Sequence, residues 1–205
     1  MSAWRDRVVP WLIEKACKSP EIKAERARWV PRAHGDVLEL GVGSGLNLAF
    51  YDPARVTRVT GIDPSAALLV RAADRASTAA VPVELVRAGG EVLPFDAGRF
   101  DTALVTYALC SVDDPARVLA EVRRVLRPGG ELIFVEHGRA PDPGPARVQR
   151  WLTPAWSRVG GGCRLDRDIA GLLRAAAFIS DDLEVGYSTG PRWLSYAYQG
   201  TARPT

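Results

Sequence analysis

The run Val37-Leu38-Glu39-Leu40-Gly41-Val42-Gly43-Ser44-Gly45, followed by Thr60-Gly61-Ile62-Asp63, constrains this chain more than any other feature. An apolar strand enters a glycine-rich turn, and a second apolar strand ends on an acid. This is the opening of a Rossmann-like nucleotide-binding unit. A loop that turns sharply off a strand needs residues free of Cβ clash, and it must let its backbone approach a ligand. Asp63 falls at the end of the second strand, roughly 20 residues beyond the loop, where such units place the acid that holds ribose hydroxyls.

Two details narrow the ligand. The spacing is G-x-G-x-G, with Leu46 where the dinucleotide fingerprint carries its third glycine. Glu39 also stands two residues before Gly41, and a carboxylate there repels a pyrophosphate. A ligand with no phosphate and a cationic end tolerates Glu39 or uses it. S-adenosylmethionine, with its ribose, sulfonium and ammonium, fits. The bland alternative is an ordinary strand–turn–helix with a solvated aspartate, which the paired acid and the downstream pattern disfavour.

The 205 residues suffice for one sizeable domain. With 47% hydrophobic and 25% charged residues, the composition is that of an ordinary globular protein. The formal net charge is +3 and the arginines are scattered, so no nucleic-acid footprint is visible. Cys17, Cys110 and Cys163 are far apart, with no C-x-x-C and no metal-ligand spacing. The expectation is therefore reduced thiols in a cytoplasmic protein that holds no metal. No apolar stretch reaches the length of a membrane span. Val8 to Ile13, flanked by Trp4 and Trp11, suits a helix packed over the domain, and a peripheral membrane contact is the alternative.

Residues 1–31 read as two short helices separated near Ser19-Pro20. Strands are expected over 37–40, 58–62, 83–86, 101–106 and 131–135, with later strands near 183–187 and 194–201. Helices are expected from Leu46, over 66–76 with Ala66, Leu69, Val70 and Ala73 on one face, over 115–126, 146–159 and 167–177. Arg127-Pro128-Gly129-Gly130 reads as a turn, and 141–145, rich in proline, as a stiff connector. Strands alternating with helices imply an α/β fold: a Rossmann-like, mostly parallel sheet with helices on both faces.

With these motifs in order, the chain resembles a class I S-adenosylmethionine-dependent methyltransferase. The matching runs are Glu39 to Gly45, Gly61-Ile62-Asp63-Pro64-Ser65, Glu91-Val92-Leu93-Pro94-Phe95, and Val125 to Gly130. The resemblance covers nearly everything beyond residue 35 and implies a seven-stranded sheet whose last strand is antiparallel. It implies cofactor contacts from Glu39, Gly41, Gly43, Gly45, Asn47, Asp63, Pro64, Gly90, Glu91, Thr106 and Tyr107. The family's usual acid after strand three is replaced by Gly89, so adenine would lean on backbone N–H groups around Gly90 and Glu91. A narrower similarity joins Asn47, Phe50-Tyr51, Leu109-Cys110-Ser111-Val112, Glu136-His137 and Gly162-Cys163-Arg164-Leu165 to the alkyl-thiol S-methyltransferases and their bacterial relatives. Quinone and phospholipid methyltransferases are broader neighbours.

Methyl transfer from a sulfonium needs alignment and a dry site, with deprotonation where the acceptor is a thiol, hydroxyl or ammonium. Ligands bind beyond the C-terminal ends of the strands. That rule sets His34 on the wrong edge and makes His137 the candidate base, a loop-capping histidine being the alternative. Cys110, Ser111, Trp151, Trp156 and Cys163 are candidate acceptor contacts. Trp4, Trp11 and Trp29 are further members of an aromatic lid, although tryptophans more commonly just bury area. The leading expectation is methylation of a small-molecule thiol. A quinol or phospholipid head group at a membrane surface is the alternative within the superfamily. An NAD-dependent oxidoreductase or a non-catalytic nucleotide-binding module is the alternative outside it.

Overall fold

A computed structural model describes Glu14 and residues 17–205. The first expected helix, with Trp4, Trp11 and the run from Val8 to Ile13, lies outside the described residues. Helix α1 (Pro20–Trp29) begins as the Ser19-Pro20 pair predicts: Ser19 Oγ accepts the Ile22 N–H at 3.4 Å, and Pro20 fills the first turn. Then follow β1 (Gly35–Leu40), β2 (Val56–Ile62), α2 (Ala66–Ala76), β3 (Val83–Val86) and β4 (Phe100–Thr106). The chain continues through α3 (Pro115–Val125), β5 (Leu126–His137), α4 (Pro143–Val159), α5 (Ile169–Ala175), β6 (Phe178–Ile179), β7 (Glu184–Tyr187) and β8 (Tyr196–Pro204).

The strands form one sheet of order β3-β2-β1-β4-β5-β8-β6, with β7 also paired to β8. β1 to β5 run parallel, and β8 runs antiparallel to β5. The expected seven strands are β1 to β5, β7 and β8; the two-residue β6 is an addition. After β3 the chain crosses back over β1 to lay down β4. The switch point, where such sheets open a crevice, is therefore between β1 and β4.

Side-chain alternation divides the interior into two cores. Leu38 and Leu40, Ala103 and Val105, and Leu132 and Phe134 face α3 and α5. Val37, Leu104, Ile133 and Val135 face the other way, onto Trp29, Val30, Leu48 and Tyr51. A strand buried on both faces reads as a continuous apolar run, which is why β1, β4 and β5 were visible in sequence.

Four expectations need correction. No α-helix starts at Leu46: only a 3-10 turn, Leu48–Phe50, follows the glycine loop. The Asn47 side chain is turned inward here, and the chain must deliver Tyr51 beneath β1 before Pro53, leaving no room for a helix. The inward face of α2 is Leu68, Leu69 and Ala72, whereas Ala66, Val70 and Ala73 are exposed. The turn 127–130 is a bulge inside β5: Leu126 faces Phe100, and the next paired residues are Glu131 and Thr102. The proline-rich connector is shorter than expected because α4 already starts at Pro143, with proline in its first turn.

Trp29 shows how the second core is closed. It is fully buried, and its indole N–H donates to Gln199 Oε1 at 3.0 Å, tying α1 to β8. Arg28 and Arg32 stack on the ring, at 5.1 and 4.1 Å from its centroid. Trp29→Ala should cost about 3–5 kcal/mol, read as a lower urea midpoint at unchanged slope.

Candidate functional site

β1 carries Glu39 to the C-terminal edge of the sheet, on the Trp29 side. Its carboxylate is wholly buried. Asn47 Nδ2 donates to Oε1 at 2.9 Å and the Tyr51 hydroxyl donates to Oε2 at 2.7 Å. Asn47 is fully used: Nδ2 also donates to Thr106 Oγ1 at 2.9 Å, and Oδ1 accepts from Arg26 Nε at 2.9 Å. Burial pushes the Glu39 carboxyl up to about 7, against the downward pull of Tyr51 and Asn47.

The loop after β1 is folded against a second acid. Asp63 Oδ2 accepts the Gly43 N–H at 3.1 Å, and Oδ1 accepts the Ser65 N–H at 2.8 Å. Burial raises the Asp63 carboxyl above its ordinary range. Gly41 has φ +65°, and a Cβ there would sit 2.5 Å from the Ala108 Cβ, so any side chain would push apart the exits of β1 and β4.

Above this edge lies a cavity of about 600 Å³. Glu39, Gly41, Gly43, Asn47, Asp63, Pro64, Gly90, Glu91, Thr106 and Tyr107 all line it. Of the cofactor residues expected from sequence, only Gly45 stands outside; it turns away beneath the loop, against Leu48 and Ala72. Tyr107 takes φ +54°, an uncommon conformation for a residue with a side chain. The far wall holds Leu109, Ser111, Val112, Gly161 and Gly162.

The expected acceptor residues divide. Ser111 lines the cavity; His137, Cys110, Cys163, Trp151 and Trp156 do not. The last three of these follow their own packing. Trp151 is 80% exposed on α4. Trp156 meets Trp193 edge-on at 5.9 Å and donates its N–H to Cys163 Sγ at 3.3 Å. Trp29 is fully buried in the second core, and no tryptophan among the described residues lines this cavity. His137 Nε2 lies 3.1 Å from Cys163 Sγ, behind the cavity wall. Glu136 does not touch that ring. It is wholly buried on the opposite face of β5 and accepts the N–H groups of Ala108 and Leu109 at 2.7 Å and of Cys110 at 3.2 Å.

Three lining residues had no sequence signal. Arg26 and Cys17 come from the α1 region, and Glu14 joins them, held by Lys18 at 2.7 Å, by Arg75 at 2.9 Å and by Arg71. Nothing local in the α1 sequence marks Arg26, because its role exists only once Asn47 is beside it.

A family profile described as a methyltransferase domain matches residues 38–134. The chain is 37% identical over 152 residues to the thiol S-methyltransferase TMT1B of Homo sapiens, covering 72% of this chain and 62% of that protein. The chain thus spans less than two thirds of that relative's length. It is 38% identical over 149 residues to a phosphatidylethanolamine N-methyltransferase of Cereibacter sphaeroides, covering 71% of each. Among solved structures, the [4+2]-cyclase SpnF superposes with a TM-score of 0.71 at 23% identity, over 90% of this chain and 80% of that one, a likeness of fold.

The buried acid at the end of β1 makes stability depend on pH. Glu39 titrates at about 7 when folded and near the ordinary glutamate value of 4.5 when unfolded, so the native state binds the extra proton. Its contribution is complete below about pH 4.5 and is lost as the pH rises through 7, a change of about 3 kcal/mol. In urea melts from pH 4.5 to 8, the stability difference between wild type and Glu39→Gln should shift by that amount, with the wild type losing ground at high pH. A constant difference would disprove the shift.

Proposed function

This chain belongs to the S-adenosylmethionine-dependent methyltransferases, and from that premise we propose that it moves the methyl group to the sulfur of a small thiol. The observation that carries the thiol is the 37% identity over 152 residues to a thiol S-methyltransferase.

The residues around the cavity fit the cofactor on their own chemistry. Two buried acids, Glu39 and Asp63, border the glycine loop, an arrangement hostile to a pyrophosphate and favourable to a cation and a diol. Asp63 would take the ribose hydroxyls, since each of its oxygens accepts one backbone N–H and keeps further lone pairs. Glu39, Asn47 and Thr106 would border the amino-acid end. The backbone around Gly90 and Glu91 would meet the adenine. When bound, the sulfonium supplies an activated methyl group with a neutral thioether as leaving group.

What remains for this chain is alignment and exclusion of water. Leu109, Val112, Gly161 and Gly162 would form the acceptor wall, with Tyr107 and Ser111 as polar contacts. The thiolate is the nucleophile, and a simple aliphatic thiol ionises above the cysteine value of about 8.5, so loss of the thiol proton to solvent or to a neighbouring group is part of the reaction.

A second reading, a phospholipid head group as acceptor, has one supporting observation: the 38% identity to the phosphatidylethanolamine enzyme. Among the described residues no helix is long and apolar enough to cross a membrane.

Purified protein given S-adenosylmethionine and a simple aliphatic thiol should release S-adenosylhomocysteine in proportion to thiol, above a no-thiol control. Release with phosphatidylethanolamine liposomes and none with thiols would replace the thiol reading by the lipid one. Asp63→Ala should weaken S-adenosylhomocysteine binding at least about tenfold in calorimetric titration, the loss of a charge-assisted hydrogen bond. Wild-type protein should show no comparable affinity for NAD. Tight NAD binding without S-adenosylhomocysteine binding would overturn the cofactor assignment.

A further inference from the structure

Behind the far wall of the cavity, three separate segments bring two thiols and an imidazole to one point. Cys110 follows β4, His137 ends β5, and Cys163 follows the glycines at 160–162. Their donor atoms, Sγ, a ring nitrogen and Sγ, all lie within 4.8 Å of one another. His137 Nε2 and Cys163 Sγ are 3.1 Å apart. Cys110 is 1% and Cys163 8% exposed, while His137 is half-buried, so the cluster is shielded on its sulfur side and reachable from the imidazole side.

We propose that Cys110, His137 and Cys163 form a zinc site with three protein ligands. A tetrahedral zinc with bonds of about 2.3 Å to sulfur and about 2.0 Å to nitrogen sets its donors roughly 3.5–3.8 Å apart, inside the 4.8 Å span of this cluster, and the 3.1 Å His137–Cys163 pair would open by a few tenths of an ångström. Two thiolates and one imidazole are the donor set of a borderline-soft d10 cation, and they disfavour magnesium or calcium, which prefer oxygen. Each thiol releases a proton to solvent as the metal binds; nothing is oxidised. The two thiolates neutralise the metal's charge, and the fourth position is left to an exogenous donor such as water.

The surroundings hold these ligands as an outer shell holds a metal site. Glu136 grips the backbone from Ala108 to Cys110. The Arg164 N–H donates to the Cys110 carbonyl at 3.0 Å, joining the two cysteine loops. Arg167 Nη1 donates to the carbonyls of Leu109 and Val112, at 2.6 and 2.8 Å. The Trp156 indole donates to Cys163 Sγ, and Ser111 Oγ lies 3.5 Å from Cys110 Sγ, so both sulfurs have polar neighbours suited to thiolate. The consequence is local. Leu109, Ser111 and Gly162, which flank the ligands, line the cavity, so a bound metal would stiffen the acceptor wall. The site does not depend on which acceptor is methylated.

The test is metal titration of the whole, reduced, chelator-treated protein. Cobalt should bind in one equivalent, giving the visible bands of a tetrahedral ion and a near-ultraviolet thiolate-to-cobalt transition, both displaced by zinc. Cys110→Ser and Cys163→Ser, each checked for folding by circular dichroism, should remove the charge-transfer band or weaken affinity by roughly a hundredfold or more. Cys17→Ser should leave it unchanged. The wild-type result stands even if a variant fails to fold. No thiolate-to-cobalt band in the wild type, the same band in both serine variants, or a Cys110–Cys163 disulfide formed in place of metal binding under reducing conditions would overturn the proposal.

Discussion

A wholly buried carboxylate organises the edge of this sheet. Glu39 lies between Leu38 and Leu40 near the end of a central strand, and a buried charge is tolerated only when its oxygens are bonded. Asn47 and Tyr51 supply those bonds, and that requirement dictates the path of the chain from Gly41 to Tyr51. A regular helix after the glycine loop would carry Asn47 and Tyr51 away from β1; a short 3-10 turn lets both reach back. Through Asn47 the same network takes in Thr106 at the exit of β4 and Arg26 on α1. The crevice at the switch point is therefore walled by groups that share one hydrogen-bond system.

A second buried acid plays the matching part on the other face of the sheet. Glu136 collects three backbone N–H groups from the loop after β4 and so sets where Leu109, Cys110 and Ser111 sit. Burial drives its carboxyl well above the ordinary range, the neighbouring Cys110 adds to the rise, and the three donors oppose it. Each acid thus spends buried polarity on ordering a loop, one on the cofactor side and one toward the acceptor wall. Loops held in this way lose less entropy when a ligand arrives.

The cluster of Cys110, His137 and Cys163 belongs to the same design. Its members lie on the exits of two adjacent strands and on the glycine-rich loop that returns from α4. The conformational freedom of Gly161 and Gly162, both at positive φ, brings Cys163 back to the sheet.

Much of this was legible in the chain itself. Continuous apolar runs marked the central strands, serine, aspartate and proline marked helix starts, and the glycine loop with Asp63 marked the cofactor end of the crevice. Those signals are local: they arise from backbone sterics, capping and the period of burial. Other features carry no local signal. Arg26 lies in an unremarkable polar helix, and the three members of the sulfur–imidazole cluster are remote from one another in sequence. The inward face of α2 also departed from its apolar pattern: Ala66 and Ala73 are small enough to be left outside at little cost, and Val70 is exposed with them. The sequence by itself determined the strand–loop–strand unit, the class of fold and the acids at its edge, since each rests on interactions among near neighbours. Only the tertiary structure decided which polar groups meet behind the cavity, because those partners are brought together by the parallel crossovers of the sheet and share no common stretch of chain.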